Sequence, residues 1–340
     1  MRCWEIGTRS GIGGMRPGKR ADPRPGPGEV LVEVRAAGLN YRDLMVLAGQ
    51  YGSGLPETRV PLSDGVGIVA ECGAGVAGIA VGTRVIAPHF TRWRDGPFAM
   101  ALFADDLGVT ADGWLAERIV LPADAVIAVP DAVSDATAAT LAVVGGTVWH
   151  AMVAFGQAGP GKLMLAQGTG GVALFALQLA KALGAEVAIT SSSEAKLERC
   201  RELGADYAID YRARPDWAAA LLEATGGRGA DVVVDTLGFA AMGETVMACA
   251  VEARIGTLGA LSGSPAAHAS ASQGAIIARN LTIKGIASGS RAMLAAALDA
   301  VARHGIAMVV DRRFAFDDAP AAYRHLASGA HIGKVLIEVG

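Results

Sequence analysis

The stretch LMLAQGTGGVALFALQLAKALGAEVAITSSS, residues 163–193, constrains this chain more than any other. Its first residues read as a buried strand, and a helical pattern opens directly behind the loop Gly168-Thr169-Gly170-Gly171. Gly168, Gly170 and Ala173 fit the pattern G-x-G-x-x-A. Strand, glycine turn, helix and second strand all fall in register within about 30 residues, the length of one βαβ unit. Glycines allow the tight turn and let backbone N–H groups approach a pyrophosphate, which the positive end of the helix then attracts. Gly168, Thr169, Gly170, Gly171 and Val172 are therefore the expected contacts of a dinucleotide. A plain βα turn, or a site for another nucleotide-like ligand such as S-adenosylmethionine, is the competing reading. GIGG at 11–14 has similar glycines but neither a strand before it nor a helix after it.

The end of the second strand tells cofactors apart. A site for NAD usually holds Asp or Glu there, to bind the ribose 2′-hydroxyl. This chain has Thr190-Ser191-Ser192-Ser193, with Lys196 one turn into the next helix. Hydroxyls and a cation suit a 2′-phosphate, so NADPH is expected over NADH, with Ser191, Ser192, Lys196 and Tyr211 as contacts. Ser193 reads equally as a helix cap, and Arg212 as a solvated strand end.

The pattern around this unit changes near residue 131. Before it, EVLVEVRAAGLN, GVGIVAECG and RVIAPHF are short strand-like runs separated by glycines, and 91–113 has no periodicity and reads as a long surface excursion. After it, strands and helices alternate, which implies βαβ units and a parallel sheet covered on both faces. At 340 residues the chain exceeds what one core usually serves, so two domains are expected. A net charge of −3 argues against a nucleic acid or an anionic membrane as partner. The longest apolar stretch, 172–189, is broken by Gln178, Lys181 and Glu186 and reads as a buried helix, not a membrane span. No secretory leader is expected, because no apolar run follows the arginines of the first 25 residues. Cys3, Cys72, Cys200 and Cys249 lie far apart, which gives neither a disulfide framework nor a structural zinc site and points to the cytoplasm.

Taken together, PGPGEVLVEVRAAGLNYRDLMVLAGQY, VPLSDGVGIV, VGTRVIAP, QGTGGV and GAHIGKVLIEVG resemble the medium-chain dehydrogenase/reductase superfamily over essentially the whole chain. The branch they resemble most is that of the zinc-independent quinone oxidoreductases and enoyl reductases. The resemblance implies an α/β protein with a GroES-like catalytic domain at 1–125 and a Rossmann domain with a doubly wound parallel sheet at 126–290. A tail at 291–340 then returns to the first domain. It also implies a homodimer, paired through the LTIKGIA strand. Zinc-dependent members carry cysteine where this chain has Asn40, His-Glu where it has Ser63-Asp64, and a second cysteine near Val143; the four-cysteine lobe near 91–113 is missing as well. No metal is therefore expected. Asp43, Asp64 and His89 are the donors that remain, and their spacing demands no metal site. Ser63-Asp64 is expected to be a polar piece of the site wall.

Without a Lewis acid, nothing lowers the pKa of an alcohol hydroxyl, and reduction of a polarised acceptor is the easier chemistry. The resemblance implies hydride transfer to a quinone or an α,β-unsaturated carbonyl. Tyr51 then stands beside the substrate as a hydrogen-bond or proton donor, Asn40 contacts the nicotinamide or substrate, and Tyr41 is a second donor. Packed aromatics and a turn asparagine are the structural alternatives for these three. Thr147 matches the threonine that touches the nicotinamide, and Leu237, Gly238 and Leu258 end strands where a cofactor would lie. Arg291 and Lys334 resemble positions near the cofactor, and His150 reads as a structural helix residue. A metal-dependent alcohol or carbonyl dehydrogenase and a non-catalytic NADPH sensor are the competing functions.

Overall fold

The computed structural model describes residues 1–259 and 272–340. They form two compact units: Met1–Gly146 together with Ser290–Gly340, and Thr147–Gly289.

The second unit is built on six parallel strands: β1 (Leu163–Gln167), β2 (Glu186–Ser191), β3 (Tyr207–Asp210), β4 (Ala230–Asp235), β5 (Cys249–Thr257) and β6 (Thr282–Gly285). Their order across the sheet is β3-β2-β1-β4-β5-β6, the doubly wound order whose direction reverses between β1 and β4. β1 is buried along its whole length, as an apolar run in the middle of a parallel sheet must be. The helix Gly171–Ala182 buries Ala173, Leu174, Phe175, Ala176, Leu177, Leu179 and Ala180, so only its first two residues, Gln178, Lys181 and Ala182 escape the core. Gly184, with φ of +80°, turns the chain into β2.

The first unit holds a seven-stranded sheet with Glu29–Gly38 at its centre, paired antiparallel to Asp64–Cys72, Arg118–Pro122 and the late strand Lys334–Glu338. Residues 334–338 therefore complete a sheet begun some 300 positions earlier in the sequence. Two close approaches explain the glycines of SDGVGIV. A Cβ on Gly65 would lie 2.3 Å from the Trp114 ring, and one on Gly67 2.3 Å from the Glu33 carbonyl oxygen.

The segment 91–113 differs from the surface excursion expected of it. Trp93, Leu107 and Val109 are buried, Asp106 is fully enclosed, Phe103 packs edge-on against Phe90, and Trp93 edge-on against Phe98, which lies tilted beside Phe90. Its periodicity was unreadable because aromatic clustering, not a helix or strand repeat, organises it. Among the described residues, no helix is long and apolar enough to cross a membrane.

Candidate active site

The glycine loop leaves β1 at Gln167 with Gly168 at φ of +79°, a conformation that favours glycine, and Gly168 N–H donates to the Thr190 carbonyl of β2. Gly170 is the N-cap of the 12-residue helix and supplies no side-chain cap, so the first N–H groups of that helix have no capping side chain. Among the described residues, and apart from the adjoining chain, no atom lies within 4 Å of a Cβ built at Gly168 or Gly170. These residues fit a pyrophosphate: close backbone approach and unspent N–H donors coincide. Thr169 is buried, and Gly171 and Val172 are half-buried at the helix start.

β2 ends at the buried Ser191, followed by half-buried Ser192; Lys196 is half-buried on the next helix and Tyr211 is 40% exposed. No carboxylate stands at Ser191 or Ser192, and the Glu194 carboxylate is taken by Arg201 at 2.6 Å. Leu237 and Gly238 donate their backbone N–H groups to Asp235 Oδ1 at the end of β4, and Leu258 N–H donates to the Asp235 carbonyl. Thr147 Oγ1 lies 3.5 Å from Ser288 Oγ, just past β6. His150, on a π-helical turn (Trp149–Phe155), sits 2.7 Å from the Ser288 carbonyl through Nδ1 and 3.2 Å from Lys284 Nζ through Nε2. A carbonyl oxygen only accepts, so Nδ1 carries the proton and Nε2 accepts from the ammonium. Burial, aided by Lys284, lowers the His150 pKa and keeps the ring neutral.

In the first unit, Asn40 and Lys334 meet at Asp64. Asn40 Nδ2 donates to Asp64 Oδ2 at 2.9 Å, Lys334 Nζ donates to the same oxygen at 3.1 Å and to Asn40 Oδ1 at 2.7 Å, and Val143 N–H donates to Asp64 Oδ1 at 2.7 Å. Leu62 prepares this corner: it is fully buried at φ of +76°, and Trp114 N–H holds its carbonyl. Ser63 and Asp64 are both fully buried. Ser63 donates to Asp43 Oδ1, and Asp43 Oδ2 accepts from Asn40 N–H. Burial pushes the Asp43 carboxyl up to about 6, against the pull of Arg42 and the Asn40 N–H.

These four positions are the ones where zinc-dependent members would hold a metal, and their chemistry does not suit zinc. The carboxylate already accepts three hydrogen bonds, one from an ammonium, and its neighbours offer an amide and a hydroxyl where zinc takes thiolate or imidazole. Arg291 lies apart from this corner, donating to the Val126 carbonyl at 2.9 Å.

Tyr51 belongs to a second cluster. The Arg42 guanidinium lies 4.8 Å from the centre of the Tyr51 ring, and its Nη2 donates to Asp106 Oδ2 at 2.5 Å. His89 Nδ1 stands 2.8 Å from Asp106 Oδ1 and 2.7 Å from Arg42 Nη1, donating to the first or accepting from the second according to tautomer. Burial alone would raise the Asp106 pKa; His89 and Arg42 outweigh it and hold the carboxyl low. Burial raises the Tyr51 pKa, and Arg42 opposes that rise. Arg9 fixes the loop by donating to the Tyr51 and Gly52 carbonyls. Tyr41, 51% exposed, opens the helix Tyr41–Leu47. Arg42 and Asp106 went unselected in the sequence, although Arg42 lies inside the quoted LNYRDLM.

The two units define a class: an oxidoreductase made of a GroES-like sheet unit and a parallel nucleotide-binding unit. Residues 26–131 match the family model for the alcohol dehydrogenase GroES-like domain, and 171–303 that for zinc-binding dehydrogenases. A zinc-type alcohol dehydrogenase-like protein of Schizosaccharomyces pombe is 37% identical over 97% of this chain and 96% of its own. An acryloyl-coenzyme A reductase of Sulfurisphaera tokodaii is 28% identical over 93% of this chain and 94% of its own. A putative alcohol dehydrogenase from Sinorhizobium meliloti superposes with a TM-score of 0.91 at 38% identity, covering both chains fully. A mycobacterial protein solved in complex with NADPH gives 0.83 at 26%, again covering both chains fully. The chain belongs to the medium-chain dehydrogenase/reductase superfamily. It is an oxidoreductase with a nicotinamide cofactor and a small-molecule substrate.

Proposed function

We propose that this chain is an NADPH-dependent, zinc-independent reductase whose acceptor is a quinone or an α,β-unsaturated carbonyl. The observation that carries this reading is the Asp64 corner, where Lys334, Asn40 and Val143 donate three hydrogen bonds to the carboxylate and none of the three donors is a thiolate or an imidazole. The relative named for acryloyl-coenzyme A, an activated double bond, and the NADPH-bound structural neighbour point the same way. The hydroxyls of Ser191 and Ser192 and the ammonium of Lys196 suit a 2′-phosphate.

Bound NADPH supplies a hydride, and the chain's own groups do the rest. The Gly168–Gly171 backbone would hold the pyrophosphate, and Thr147 with Ser288 beside it would hold the nicotinamide. Asn40, its amide orientation fixed by Lys334 and Asp64, presents a hydrogen-bond donor to the developing enolate or hydroquinone. Tyr51 donates its hydroxyl proton to the reduced product; the O–H bond breaks, and the phenolate is reprotonated from water. The four free cysteines suit a reducing cytoplasm. The edge position of β6 suits a homodimer joined there.

A side-by-side test of NADPH and NADH against 1,4-quinones, enals and enones, with metal analysis of the purified protein, decides the reading. Turnover that requires stoichiometric zinc, or oxidation of simple alcohols in preference to reduction of these acceptors, would overturn it. Lys196→Ala should weaken NADPH by about tenfold, the worth of one charged hydrogen bond, and leave NADH nearly unchanged. Equal losses for the two cofactors would remove the 2′-phosphate assignment.

A further inference from the structure

Arg42 is an unusual neighbour for a proton donor. Its guanidinium lies over the Tyr51 ring, 4.8 Å from the centre, while its side chain is only 12% exposed. An arginine enclosed to that degree needs a partner, and it has one in Asp106, fully buried, with a second contact to His89. These partners hold the guanidinium by its Nη atoms, which fixes its plane against the ring. Asp106 and His89 come from the aromatic segment that closes around Phe90, so the clamp is anchored in a packed core and not in a mobile loop. Arg9 holds the other side of the arrangement, through the backbone carbonyls of Tyr51 and Gly52.

We infer that Arg42, clamped by Asp106 and His89, is a positioning residue that makes Tyr51 a usable proton donor, because its cation stands where the phenolate charge appears. The inference rests on the reading of Tyr51 as the donor. When the Tyr51 O–H bond breaks, the electron pair stays on the phenolate oxygen and the ring becomes anionic. A fixed cation against the ring lowers the free energy of that state without touching the substrate. The charged groups that bear on Tyr51 are Arg42, from the helix Tyr41–Leu47 just before it, and Asp106, with His89 in contact with both. Arg9 acts on the backbone alone. Arg42 and Asp106 pull in opposite directions: the cation favours the phenolate and the carboxylate opposes it.

That opposition supplies a test which a merely structural role could not pass. The ionisation of Tyr51 can be followed by phenolate absorbance, as the difference between the wild-type protein and Tyr51→Phe. Arg42→Met should move the Tyr51 titration upward by about one pH unit or more, the usual effect of a lost opposite charge at this range. Asp106→Asn should move it downward, and Arg42→Lys should lie near wild type. A loosened structure would shift all three the same way, toward the value of exposed tyrosine. An unmoved Tyr51 titration in Arg42→Met overturns the inference. Should Arg42→Met not fold, a downward shift in Asp106→Asn together with an Arg42→Lys titration near wild type would sustain it, and no shift in Asp106→Asn would overturn it. The donor reading fails separately: Tyr51→Phe with undiminished enone turnover removes Tyr51 from the reaction, whatever the titrations show.

Discussion

Two charged clusters lie in the same unit, and they are built to opposite ends. At Asp64 every charge is sealed: the carboxylate is fully buried, Lys334 is 3% exposed, and each faces only the other and its neighbours. At Tyr51 the inner members, Asp106 and His89, are equally enclosed, but the cluster ends in a half-buried phenol and a partly exposed guanidinium. A sealed ion pair fixes geometry and has no way to exchange a proton with substrate. A cluster with one open end can do so. The difference teaches that the Asp64 corner holds its neighbours in place, whereas the Tyr51 cluster keeps one end open to solvent.

This contrast can be broken in three ways. The largest effect should come from Lys334→Met, which leaves the Asp64 charge buried and unpaired; a loss of about 3–5 kcal/mol in denaturant stability is expected. Asp64→Asn in the same chain should recover most of it. A small loss would mean that water reaches Asp64 and that the corner is not sealed. Next, Tyr51→Phe should lower enone turnover about 100-fold while changing stability by less than about 1 kcal/mol. A stability loss as large as that of Lys334→Met would erase the distinction between the clusters. The smallest effect lies in pH dependence. The Asp43 carboxyl is raised to about 6 from its ordinary value, so the folded state binds this proton more tightly than the unfolded chain. Its stabilising contribution is therefore full below about pH 4 and is lost as pH rises through about 6. The stability difference between wild type and Asp43→Asn, followed by denaturation across that range, should shrink from low pH to high; a flat difference would place Asp43 in a wetter setting.

Sequence reading reached the parts of this molecule whose causes are local. The Gly168–Gly171 loop, its strand and its helix follow from residues within 30 positions of one another, and the doubly wound order follows from strands alternating with helices. Asn40, Tyr51 and Lys334 could be singled out by resemblance, and Asp64 beside them, but not how they pair. Lys334 and Asp64 are 270 residues apart, and Arg42 and Asp106 are 64 apart, distances over which no periodicity carries information. Asp106 sits in a segment held by aromatic packing, where charge beside Phe103 and Leu107 reads as surface. The two glycines of SDGVGIV lie inside a strand-like run, and only the Trp114 ring and the Glu33 carbonyl show that they are there to admit neighbours.

The discontinuity of the first unit sets an order of events during synthesis. Asp64 leaves the ribosome early, whereas its ammonium partner is residue 334, added only after the whole of Thr147–Gly289. At ordinary rates of elongation that interval is on the order of tens of seconds. Through that time the nascent sheet lacks both its Lys334–Glu338 strand and the cation that its buried carboxylate requires. The second unit, whose strands are contiguous in the sequence, is free to fold first. The newborn first unit is thus the stage of this protein's life most open to chaperones and proteases.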